Sequence, residues 1–72
     1  MSYIEDSLQN LRTLMVVYRM QGDTLNAERI RWELEGWLDA LDPGKPPTDQ
    51  VPAWHRDRYE TAYRLCSRLK EE

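Results

Sequence analysis

His55 is the only conventional general base for neutral pH in the 72-residue chain, and Arg56 and Asp57 beside it supply no nucleophile at a recognisable spacing. It falls close to the expected core face of a third helix, so a packing or capping role is the simpler reading. Cys66 is the sole thiol and lies on that same face, which reads as a small buried hydrophobe rather than a reactive group. A single cysteine rules out an internal disulfide. One His with one Cys cannot make a four-ligand zinc site without a partner chain or several carboxylates. There is no glycine loop for phosphate, and the three glycines are accounted for by helix ends or a packing position. The expectation is a protein without catalytic residues, metal or cofactor.

The charged residues offer two other chemistries. Residues 1–44 carry four Arg against eight acids, whereas residues 45–72 carry six Lys or Arg against five acids. Arg56, Arg58, Arg64, Arg68 and Lys70, with Trp54, Tyr59 and Tyr63 among them, have the basic and aromatic mixture of a nucleic-acid surface. Asp57 and Glu60 interrupt that array, and a net charge of −3 opposes phosphate binding, so a salt-bridged solvated face is favoured and a nucleic-acid-binding regulator is the alternative. Asn26, Arg29 and Arg31 on the second helix permit a helix-turn-helix reading, but Glu28, Glu33 and Glu35 share that helix. Glu33, Glu35, Asp39 and Asp42 crowd its C-terminal half, where negative charge is mildly unfavourable and invites a cation from the third helix or from a basic partner.

The elements that must position these groups are three helices. Ser2 followed by Glu5 is a capping box, and Ile4, Leu8, Leu11, Leu14, Met15 and Tyr18 make one apolar stripe, predicting a helix over 2–21. Gly22 ends it, and Asp23 or Thr24 caps the next, expected over 24–41 with Ala27, Ile30, Leu34, Trp37, Leu38 and Leu41 inward. So short a turn forces an antiparallel hairpin. Residues 42–51 form a proline-rich linker, and a third helix is expected over 52–70, opening near Pro52 with Thr48 or Asp49 as candidate caps. Its inner side carries Val51, Ala62, Leu65, Cys66 and Leu69. The fold class is therefore all-α, a helical hairpin plus a third helix in one domain.

Leu14, Tyr18, Gly22 and Ala27 have the spacing of a tetratricopeptide helix pair, which this hairpin resembles over under half the chain. The resemblance implies two closely approaching helices. Arg31 stands where that family usually places a large apolar residue, and no second copy follows.

Trp32 falls about 180° around the second helix from the core stripe. Leu25 and Gly36 share that outer side, while Val16 and Met20 lie off the stripe of the first helix, so the hairpin is apolar on more than one face. Either the third helix folds over this side, or part of it meets another chain. A core of this size rarely supplies more than about 3–5 kcal/mol, which favours a homodimer. The expectation is a small interaction module acting as an adaptor, assembly factor or inhibitor of a larger protein, with a structural assembly subunit as a further alternative. Its contact residues would be Trp32, Leu25, Met20, Val16, Arg29, Glu33, Glu35 and Asp39. Such proteins are common among accessory proteins of bacteria and their phages. No apolar run approaches the ~20 residues of a membrane span, and Met1 to Asp6 lack the basic start of a signal peptide, so a cytoplasmic location is expected.

Overall fold

The structure, a computed structural model, describes residues 2–42, 44 and 48–71. It contains α1 (Tyr3–Met20), α2 (Thr24–Leu41), a 3₁₀ turn at Ala53–His55 and α3 (Arg56–Lys70). The chain is all-α, a small three-helix bundle. Among the described residues no helix is long and apolar enough to cross a membrane. Pro43 and residues 45–47 of the expected linker lie outside the described residues.

Local chemistry sets the hairpin. The Ser2 hydroxyl accepts from the Glu5 N–H at 3.1 Å and starts α1. At its end the Asp23 N–H reaches the Tyr18 carbonyl at 2.9 Å and the Gly22 N–H reaches Arg19 at 3.0 Å, the paired bonds of a Schellman turn. That turn needs a left-handed residue, and Gly22 has φ +72°. Asp23 then caps α2 by accepting from the Asn26 N–H at 3.1 Å. The antiparallel return brings the Tyr3 ring 6.4 Å from that of Trp37.

The third helix opens differently from the sequence expectation. Thr48 turns its hydroxyl onto the Gln50 N–H, and neither Thr48 nor Asp49 caps a helix. Pro52 opens the 3₁₀ turn, which passes into α3 at His55 and Arg56. Arg58 meets Glu33 near the middle of α2, and Lys70 donates to the Ala40 carbonyl at 2.6 Å near its end, so α3 runs in the same sense as α2. Ahead of α3, Val51 is buried.

Helix α2 is central. Its close approach to α3 depends on Gly36, where a Cβ would stand 2.5 Å from the Tyr59 carbonyl oxygen and 3.0 Å from the Ala62 Cβ. Gly36 was expected on the outer side, and α3 is what covers it. Leu11, Leu34, Trp37, Ala40, Ala62 and Cys66 form the core, with Ile4, Leu8 and Met15 packed against it from α1. Helices α1 and α3 scarcely touch, and the molecule measures 37 × 31 × 17 Å, a flat layer rather than a ball.

Candidate functional site

The flatness leaves a groove between α1 and α3. Tyr3, Ser7 and Asn10 form its α1 wall, Trp37 and Glu33 lie along α2, and Thr61 and Leu65 come from α3. Residues 3, 7, 10, 14, 17 and 21 follow alternating four and three spacings, which places them on one face of α1. This face is offset by one residue from the inward row Ile4, Leu8, Leu11, Met15 and Tyr18. The inward row meets α2. The second row is largely open: Tyr3, Asn10, Leu14, Val17 and Gln21 are exposed and Ser7 half-buried, with Leu14 and Val17 at 41% and 40%.

Leu14 was expected in the core stripe and stands outside it. The reason is geometric: α1 has one packing partner, α2, and a single helix covers only one such row. Within the uncovered row no side chain is charged. Between Ser7 and Tyr18 the only charge on α1 is Arg12, which lies on the opposite flank. Sequence reasoning missed this row because half of it is polar, so no amphipathic stripe stands out. Its signal was the repeated spacing and the absence of charge.

The expected contact residues divide. Val16, Met20 and Leu25 are exposed at the turn end of the hairpin, with Met20 at 82%. Trp32 is half-buried, its indole N–H enclosed without an acceptor among the described residues, and the Arg31 guanidinium lies over its ring 4.5 Å from the centroid. Glu33 reaches Arg58 at 3.8 Å, so α3 supplies a cation to one of the four acids in and just after the C-terminal half of α2. Glu35 is half-buried. Asp39, also expected at the contact, lies inside the fold. It is buried and accepts a 2.6 Å hydrogen bond from the Tyr59 hydroxyl, which in turn accepts from the Thr48 N–H at 3.1 Å. Burial, reinforced by the Asp39 carboxylate, pushes the Tyr59 phenol up to about 12.

Several of the groups considered for nucleic acid are engaged within the chain, while Trp54 is exposed. Arg56 donates to the carbonyls of Asp49 and Val51 at 3.0 and 3.3 Å and lies 3.8 Å from Glu60. Asn26 donates to Asp23 at 2.6 Å and accepts from Arg29 at 3.2 Å, and Arg31 pairs with Glu28 at 3.5 Å. A cation beside an acid offers little net field to a phosphate backbone.

His55 is half-buried, its Nδ1 enclosed with no hydrogen-bond partner among the described residues, in a cleft of about 390 Å³ shared with Leu25, Arg29 and Trp54. That cleft lines up no carboxylate to orient the imidazole and no nucleophile for it to activate. Cys66 is fully buried, and desolvation pushes its thiol up, away from the thiolate that chemistry would need. Among the described residues no group of three or more His, Cys, Asp or Glu is placed to hold a metal ion. Comparison with known proteins returns no matching family model, no matching curated relative and no matching solved structure, so the tetratricopeptide-like spacing is not joined by a family match.

Proposed function

We propose that this protein is a small non-enzymatic interaction module that works by binding another protein chain through the open face of α1. The observation that carries the reading is the uncharged row Tyr3, Ser7, Asn10, Leu14, Val17 and Gln21, whose first part, Tyr3, Ser7 and Asn10, walls a groove floored by Trp37 and whose Leu14 and Val17 continue it as exposed apolar surface. Depletion of charge with aromatic and aliphatic residues marks the centre of protein interfaces. A helix laid in that groove would touch α1, the edge of α2 and the α3 wall together, the helix-in-groove mode of recognition.

An adaptor, an assembly factor and an inhibitor all use such a face, and each acts through what it binds. Immobilised wild type, His55→Ala and a Leu14→Asp/Val17→Asp double variant separate this reading from one centred on the His55 cleft. The bound chain should be retained by the first two and lost from the third. Equal retention by the double variant would contradict the proposal.

A further inference from the structure

We infer that the cleft between Trp54 and the first turns of α2 is a binding site for a small planar aromatic carboxylate. Its lining residues, Leu25, Arg29, Trp54 and His55, share none with the groove beside α1, so this site and the protein-binding face stand or fall separately.

The walls suit a flat apolar body. Trp54 is 94% exposed and Leu25 67%, although the other two indoles of the chain are packed, Trp37 buried and Trp32 half-buried. The cleft they line, about 390 Å³, is of the size that takes a small molecule. An indole plane beside an aliphatic wall accepts a ring by stacking. This platform is held before any ligand arrives. The His55 N–H donates to the Pro52 carbonyl at 2.9 Å across the turn that carries Trp54, and Arg56 ties the turn to the Asp49 and Val51 carbonyls ahead of it.

The charges suit an anionic head. A guanidinium and an imidazole line the cleft, and no acid does. Arg31, Arg56 and Arg58 each meet a glutamate, whereas Arg29 makes no ion pair among the described residues. Its Nη1 donates to the Asn26 side-chain oxygen at 3.2 Å, which anchors the group. Asp23, the acid nearest to it in sequence on that side, spends its two carboxylate oxygens on Asn26 at 3.1 and 2.6 Å. The rest of the guanidinium fork is left to pair with a carboxylate. His55 has its Nδ1 enclosed, so Nε2 is the ring nitrogen open to the same head group.

The far side of Trp54 sets the ligand's extent. Glu33 and Asp57 line the next hollow, where a second carboxylate would meet like charge, so the site takes one short acid rather than an extended acidic chain.

NMR titration of the nitrogen-labelled protein at neutral pH, with naphthoate, naphthamide and acetate as probes, tests the site. Naphthoate should shift the Trp54 indole N–H and the Leu25 and Arg29 amides with a dissociation constant of ~1 mM or below. The uncharged naphthamide should bind about tenfold more weakly or worse, and acetate, which lacks the ring, should leave these signals unmoved. Arg29→Gln should abolish the preference for acid over amide, and Trp54→Ala should lose both ligands. Both positions are exposed, so both variants should keep wild-type helicity by circular dichroism. No shift at ten times that concentration overturns the inference. So does equal binding of acid and amide by wild type, a preference that survives Arg29→Gln, or a set of shifts centred on Tyr3 and Val17 instead of Trp54.

Discussion

At the residue scale Tyr59 and Gly36 hold α3 against α2. The Tyr59 hydroxyl joins the linker, α3 and α2 through Thr48 and Asp39. We predict that Tyr59→Phe costs about 1–3 kcal/mol by removing a buried donor from Asp39 and an acceptor from Thr48. The phenol titrates near 10 when exposed and at about 12 in the fold, so the folded state holds its proton where the unfolded state has lost it. Stability from this group is thus full below pH 10 and falls by about 2–3 kcal/mol as pH rises towards 12. Urea unfolding at both ends of that window should show a larger alkaline loss for wild type than for Tyr59→Phe, and equal losses would contradict the assignment. Gly36→Ala should cost about 1–3 kcal/mol, since its Cβ meets the backbone of Tyr59 and α3 must move away. An unchanged thermal midpoint would contradict that contact.

At the element scale α1 carries two adjacent rows offset by one residue, and only the inward one packs on α2. Leu11, on the inward row, is buried in the core, so Leu11→Ala should cost about 2–4 kcal/mol. Leu14→Asp, on the outer row, should cost the isolated chain under about 1 kcal/mol. Chemical denaturation of the two variants at micromolar concentration checks the contrast, and comparable losses would mean that Leu14 is a core residue after all. The bounds of α1 and α2 were legible because their signals are local: Ser2 with Glu5, Gly22, and Asp23 all act within one turn. The start of α3 was not, because Pro52 opens a 3₁₀ turn whose stability depends on Arg56 reaching back to the linker carbonyls.

At the scale of the whole molecule the fold class followed from periodicity, whereas the direction of α3 depended on contacts far apart in the chain. Asp39 illustrates the difference. A carboxylate in the last turns of a helix reads as surface, and the group that buries it, Tyr59, stands twenty residues away with no sequence pattern linking them. Trp32 drew attention by type and angle, yet α3 packs on its side of α2, and the open surface belongs to a row half made of polar residues.

The central claim is that another protein chain occupies the uncovered row of α1. A photo-crosslinking amino acid placed at Val17, and separately at Glu28 on an exposed part of α2, tests it in growing cells. The account predicts a discrete protein adduct from Val17, whether a second copy or another chain, and none from Glu28; no adduct from Val17, or equal labelling from both positions, would contradict it.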